Sequence, residues 1–171
     1  MTTFEKNPEV NYAVILLGTN LGNLADNLSR ARMLVRDRAG EIRLSSSVYK
    51  TAPWGNLQQP DFLNQVISII TSLGAQELMS ALHSIEKEMG RERNVRWEPR
   101  VIDLDILFFN DEVIDEAGLT IPHPDTGERL FALVPLCEIL PDLRHPVSGE
   151  TMSSLLEKLS GTVSGGVEKA C

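Results

Sequence analysis

FLNQVISIITSLGAQELMSALHSIEKEMG, Phe62–Gly90, changes its period halfway along. Its first part, FLNQVISIITS (Phe62–Ser72), is rich in β-branched residues and reads as a strand. Leu78, Leu82, Ile85 and Met89 then recur at helical spacing, and Gly90 stops that pattern. Working outward, an arginine-rich loop closed by Pro99 leads into RVIDLDILFF (Arg100–Phe109), which reads as another strand. On the N-terminal side, YAVILL (Tyr12–Leu17) is a short apolar run that breaks at GTNLGN, a buried strand entering a turn. Leu24, Leu28, Ala31, Leu34 and Val35 follow at helical spacing, ended by Gly40. EIRLSSSVYKT (Glu41–Thr51) alternates and predicts one strand, and APWGNLQQPD (Ala52–Asp61) predicts a loop.

The order is therefore β-α-β-β-α-β, the ferredoxin-like unit of α+β proteins, with both helices on one face of a sheet. After Phe109, NDEV predicts a turn into a short partner strand. Pro122, Pro124, Pro135, Pro141 and Pro146 then fragment the chain, leaving short helices near Arg129–Val134 and Met152–Leu159. The expectation is an α+β fold with a ferredoxin-like βαββαβ core and extra C-terminal strands and helices. It forms a single domain over 1–171, with a core about 11–160 and flexible tails at 1–10 and 161–171.

At 171 residues the chain buries roughly 70% of its unfolded surface and needs no disulfide or structural metal to fold. Its two cysteines, Cys137 and Cys171, form no CxxC pair, and MTTFEKNPEV lacks the order of a signal peptide. Apolar runs are too short to cross a bilayer, so the reading is a cytoplasmic protein without membrane partners. A net charge of −8 argues against nucleic acid as a partner. Yet RERNVRWEPR (Arg91–Arg100) holds four arginines in ten residues, and a small polyanion explains such a basic island. The chain has neither GxxxxGK[ST] nor GxGxxG after a strand, which removes the commonest nucleotide-binding folds.

Asp103-Leu104-Asp105 is the most specific local signal. Residues two apart on a strand share a face, so both carboxylates project together while Ile102, Leu104 and Ile106 pack behind them. Side by side in an apolar strand they need a partner. That partner is either Mg2+, which takes carboxylates, water and phosphate oxygens, or a neighbouring arginine such as Arg96 or Arg100 on a half-exposed face. Spacing alone leaves both open. The arginine-rich decade beside the pair favours a site holding a metal-bound polyphosphate between carboxylates and guanidinium groups.

These residues resemble the 6-hydroxymethyl-7,8-dihydropterin pyrophosphokinases. LLGTNLGN, SSVYKTAPWG, QPDFLNQV, IEKEMGRERNVRWEPRVIDLDILFF and TIPHPDTGERLFALVPLCEILP carry the likeness, from about Tyr12 to Pro146, and RWEPRVIDLDIL followed by IPHP is highly specific. The resemblance implies transfer of pyrophosphate from ATP to 6-hydroxymethyl-7,8-dihydropterin in folate synthesis. By position it implies Asp103 and Asp105 as ligands of two Mg2+ ions. It also implies Arg91, Arg93 and Arg100 as the phosphate clamp, with Arg91 and Arg100 weighing most on rate. Trp97 falls on a loop closing over ATP, His123 and Arg129 are further contacts, and Glu86, Ile106, Leu119 and Thr120 flank the nucleotide. For the pterin it implies Phe62 and Phe131 on the ring faces, Asn64 on the edge, backbone groups of Thr51 and Trp54, and Asp103. Ala52–Pro60 and Glu92–Glu98 are the expected lids. His83 stands where family members carry glutamine, and Asp125 receives no role. The implied protein is a monomer acting on small molecules.

Overall fold

The computed structural model of the chain describes residues 10–53, 59–91, 99–124, 126–161 and 170 with its four predecessors from 166. Strands β1 (Asn11–Thr19), β2 (Glu41–Ser45), β3 (Tyr49–Thr51), β4 (Phe62–Thr71), β5 (Asp103–Phe109) and β8 (Val167–Lys169) form the main sheet. Its order is β5-β1-β4-β3-β8, with β2 also on β4 and the described pairings antiparallel. Strands β6 (Ile114–Glu116) and β7 (Leu119–Ile121) make a separate hairpin.

The βαββαβ order is present, with one strand divided. Where one strand was expected over 41–51, residues 46–48 leave the ladder, and β2 and β3 pair with β4 separately. The reason is local: the Ser46 hydroxyl accepts from the Val66 N–H at 3.0 Å, while the Gln65 amide donates to the Ser46 carbonyl at 2.7 Å. Side chains thus compete with the ladder, as serine commonly does.

Helices α1 (Leu24–Arg38) and α2 (Ala75–Glu88) cover one face. Leu28, Ala31 and Val35 of α1 and Leu78, Leu82 and Ile85 of α2 pack on Ile15, Leu17, Ile67, Ile69, Leu104 and Ile106. The other face is not left open. Helices α3 (Leu130–Ile139) and α4 (Met152–Ser160) cover it, setting Leu133, Leu136 and Met152 on Val14, Leu16, Val66 and Phe108. Central β1 is therefore apolar on both sides, as a doubly covered strand must be. Burying such a side chain stabilises the fold by about 1.5–3 kcal/mol. Helix α3 runs five residues past the expected Val134, with Pro135 inside it. The missing N–H costs one helical hydrogen bond, but Leu136 beyond it is fully buried.

Within the expected C-terminal tail, Val167–Lys169 pair with β3. A three-residue strand finds partners there because β3 would otherwise be an open edge. Gly40 is required between α1 and β2: a Cβ there would lie 2.3 Å from the Ile70 carbonyl oxygen.

Candidate active site

Strand alternation does what the sequence promised. Leu104 and Ile106 are buried under α2, and Asp103 and Asp105 turn to the opposite face. Directly across the sheet, Asp103 opposes Gly18, Gly18 opposes Asn64, and Asn64 opposes Tyr49. Gly18 keeps this row polar and close. A Cβ at position 18 would sit 3.2 Å from the Asn64 Oδ1 and 4.0 Å from the Asp103 Cβ.

Below Asp105 the β1–β5 register shifts, leaving Leu107 as an extra residue between the partners of Ile15 and Val14. The carbonyl of Leu107 accepts from the His123 N–H at 3.0 Å. Such a bulge re-aims a strand beside a site, and here it draws the segment carrying His123 against β5.

Charges crowd the β5 edge. Arg91 donates to Glu86 and to the Asp103 Oδ1, and Arg100 donates to the Asp103 Oδ2, so both oxygens of Asp103 carry a guanidinium partner. Glu86 also accepts from the Leu104 N–H at 2.8 Å, satisfying an edge-strand donor from α2. Among the described residues, the carboxyl groups of Glu86, Asp103 and Asp105 thus crowd beside the Arg91 and Arg100 guanidinium groups, with Arg129 on the same cavity wall. The electrostatics follow. Burial, then the charges of Asp103 and Glu86, push the Asp105 carboxyl up to about 7 against the pull of Arg91 and Arg100. Burial works against the charge of Arg91, but Asp103 and Glu86 outweigh it and hold its pKa above the usual value.

A cavity of about 870 Å³ opens over this row, in the range of small-molecule sites. It gathers Arg91, Arg100, Asp103, Asp105, Ile106, Leu119, Thr120, His123 and Arg129 with Thr51, Phe62, Asn64 and Phe131. Those residues come from four strands (β3, β4, β5 and β7), from Arg91 and Arg100 between α2 and β5, and from the segment leading into the first turn of α3, far apart in sequence. Glu86 is the exception among the expected residues: it does not line the wall but stands behind Arg91. Trp54, Arg93 and Trp97, with most of the two expected lids, lie outside the described residues, as does Arg96. Of the two partners open to the aspartates from sequence, arginine is realised at Asp103, through Arg100 and also Arg91.

At the other end, the Asn64 amide donates to the Thr51 hydroxyl at 2.8 Å, tying β4 to β3 in the cavity wall that also holds Phe62 and Phe131. Sequence reasoning missed several wall residues, including Gln59, Met79 and Thr126. It also missed Asn20, which is almost fully buried. Its Oδ1 accepts from the Arg100 N–H at 2.7 Å and its Nδ2 donates to the Gln59 Oε1 at 3.1 Å. The available signal was a polar asparagine directly after an apolar strand. His83 lines the same cavity.

The donor set suits one kind of ion. Asp103 and Asp105 supply hard oxygens, and among the described residues no group of three or more His, Cys, Asp or Glu side chains is arranged to hold a metal ion by itself. That does not fit zinc, which wants three or four protein ligands. It fits Mg2+, which binds through one or two carboxylates and completes its shell with water and phosphate.

Comparison with known proteins narrows the chemistry. The model of the 7,8-dihydro-6-hydroxymethylpterin-pyrophosphokinase family matches residues 14–141. The 2-amino-4-hydroxy-6-hydroxymethyldihydropteridine pyrophosphokinase of Synechocystis sp. is 42% identical over 151 residues, covering 88% of this chain and 77% of its own. The protein of that name from Bacillus subtilis is 44% identical over 143 residues, covering 82% and 86%. Among solved structures, a Plasmodium falciparum HPPK-DHPS crystal structure with SDX-DHP superposes with a TM-score of 0.73 at 21% identity, over 91% of this chain. At that identity the likeness concerns the fold, and this chain spans 45% of the solved one.

Proposed function

This chain belongs to the 7,8-dihydro-6-hydroxymethylpterin-pyrophosphokinase family, and from that premise we propose how its cavity serves the family's reaction. The enzyme transfers pyrophosphate from ATP to 6-hydroxymethyl-7,8-dihydropterin in folate synthesis. One observation carries the assignment of the site: Asp103 and Asp105 share a face under the cavity, and Arg91 and Arg100 engage both oxygens of Asp103.

The pterin lies between Phe62 and Phe131, with its polar edge on Asn64 and the backbone at Thr51 and Trp54. A flat heterocycle with a polar rim wants aromatic faces and a fixed amide, and the Thr51–Asn64 hydrogen bond fixes that amide. The nucleotide runs past Ile106, Leu119, Thr120 and His123, with its phosphates toward Arg91, Arg93, Arg100 and Arg129. Trp97 covers it, and Glu86 acts from behind by orienting Arg91. Asp103 and Asp105 hold two Mg2+ ions, which when bound neutralise the polyphosphate and polarise it toward attack.

The pterin hydroxymethyl oxygen bonds to the β-phosphorus while the bond from that phosphorus to the α-phosphate oxygen breaks. The leaving electron pair stays on AMP, and the hydroxyl proton is released. No covalent enzyme intermediate is needed, so the chain's work is positioning, charge stabilisation and exclusion of water. Arg91 and Arg100 must leave Asp103 for the phosphates, and an anion that accepts both guanidinium groups makes that exchange favourable. The enzyme acts as a cytoplasmic monomer on small molecules, without nucleic acid or membrane. Among the described residues no helix is long and apolar enough to cross a bilayer.

The test is purified protein with ATP, Mg2+ and the hydroxymethyl-dihydropterin. AMP and pterin pyrophosphate in equal amounts, dependent on the pterin, support this reading. ADP points to simple phosphoryl transfer and free pyrophosphate to nucleotidyl transfer, and either overturns it.

A further inference from the structure

Strand β8 lies outside the residues matched by the family model, yet it extends the row that carries the site. Asp103, Gly18, Asn64 and Tyr49 are consecutive cross-strand partners, and the next is Lys169 of β8. The hydrogen bonds show what β8 adds. Ala170 N–H donates to the Val48 carbonyl at 2.8 Å, so 48 and 170 are a hydrogen-bonded pair. In an antiparallel ladder such pairs alternate, which makes Lys50 and Glu168 the next one. The backbone of Lys50 therefore turns toward β8, while Tyr49 and Thr51 bond across to β4. With three residues, β3 has few other anchors.

A second tie runs through α3. Glu138 accepts from the Ser47 N–H at 2.8 Å, the Ser47 hydroxyl at 2.7 Å and the Tyr49 hydroxyl at 3.0 Å, and pairs with the Lys169 Nζ at 3.4 Å. One carboxylate thus fastens β3, the segment before it and β8 to a single helix. That helix begins beside Phe131, so Glu138 and Phe131 move as parts of one element.

We propose that β8, fastened by Glu138 of α3, is a positioning element for the pterin half of the site: it holds β3 so that Thr51 keeps the Asn64 amide aimed at the pterin edge. The inference rests on the pterin placement given above. It assigns β8 no contact with substrate, and it predicts that disturbing β8 affects one substrate and spares the other.

Glu168→Pro in the full chain removes one ladder donor at the Lys50 pair. The expected result is a pterin KM raised about fivefold, with kcat and the ATP KM within about twofold, and faster amide exchange at Lys50. Glu138→Ala, which leaves the β3–β8 ladder donors in place, shifts the pterin KM in the same direction by less. It carries the test if the proline variant does not fold. Asn64→Ala is the reference. If it raises the pterin KM while neither other variant does, β8 merely covers an edge and the proposal fails. If Asn64→Ala also leaves the pterin KM unchanged, the pterin placement fails and takes this inference with it. Equal rises in both KM values would mean general loosening and would also overturn it.

Discussion

Two carboxylates anchor opposite sides of the main sheet, Asp103 on edge strand β5 and Glu138 of α3 over β3 and β8, and they are partnered in opposite ways. Asp103 is mostly buried, and its described partners are two arginines, in a cluster where burial and the charges of Asp103 and Glu86 push the Asp105 carboxyl up. Glu138 is exposed, and its partners are mainly neutral donors, with one lysine at 3.4 Å. Neutral donors leave nothing to exchange, so the Glu138 cluster has a single settled state. Guanidinium groups can transfer to a better anion, and crowded carboxyl groups attract a cation. Carboxyl groups crowded in this way are destabilising unless a ligand completes the cluster, and on the reading proposed above that makes the β5 side the reactive one.

The largest expected effect separates the two regions most sharply. Asp105→Ala and Asp103→Ala should each lower kcat by on the order of 10³ or more, because on the proposed reading each removes an oxygen ligand from the polyphosphate's metal. Glu138→Ala should leave kcat within about twofold. Steady-state AMP formation measures both. Comparable losses at the two sites would erase the distinction.

Next come the arginines. Arg100→Ala and Arg91→Ala should lower kcat by about 10²–10³, as for other groups that stabilise charge developing in a transition state. Arg91 also serves Glu86, so Arg91→Ala leaves that buried carboxylate short of a partner and should lower the melting temperature as well. Arg100, less buried and not bound to Glu86, should cost rate with little stability. Thermal unfolding beside kinetics would show whether the two guanidinium groups divide in this way.

Much of this site was legible in the sequence because strand periodicity is strict. Asp103 and Asp105 had to share a face once their strand was recognised, and the spacing of Leu104 and Ile106 fixed which face. The gathering of Phe62, Asn64, Phe131 and His123 was legible only through family likeness, since nothing local marks a phenylalanine as a wall residue rather than core. Other features were hidden for physical reasons. The Ser46 break in Glu41–Thr51 depends on Gln65 and Val66, which lie on another strand. Strand β8 has no apolar alternation to announce it, because its pairing satisfies backbone groups on an edge rather than burying side chains. Asn20 reads as a turn residue, yet it joins Arg100 to Gln59 across about 40 and 80 residues of sequence.

The Asp105 carboxyl gives a stability test with a definite sign. The folded chain keeps its proton up to about pH 7, whereas the ordinary value is 3.8. The group therefore favours the folded state fully below about 3.8, and that contribution is lost as pH rises through about 7. Asp105→Asn should then stabilise the metal-free protein by about 2 kcal/mol at pH 8 and by much less at pH 5, while abolishing activity. Mg2+ should stabilise the parent more at pH 8 than at pH 5, and the asparagine variant at neither. Equal melting temperatures for parent and variant at pH 8 would mean that the crowding of the Asp105 carboxyl is relieved by solvent.

Glu138 has the opposite sign and the smallest effect. Burial works to raise its pKa, but hydrogen bonds from the Ser47 hydroxyl and N–H, Tyr49 and Lys169 outweigh it and hold the carboxylate below its usual value. Its stabilisation is present above the ordinary carboxylate range and is lost as pH falls through the depressed folded value. Because the cluster is exposed, Glu138→Ala should cost only about 0.5–1 kcal/mol at pH 7. The difference between parent and variant should shrink as the pH is taken from about 5 to about 3, whereas the Asp105→Asn difference grows in the other direction, toward alkaline pH. Denaturant midpoints from about pH 3 to about pH 8 would read both, and a Glu138 difference that persisted in acid would assign its role to packing rather than to charge.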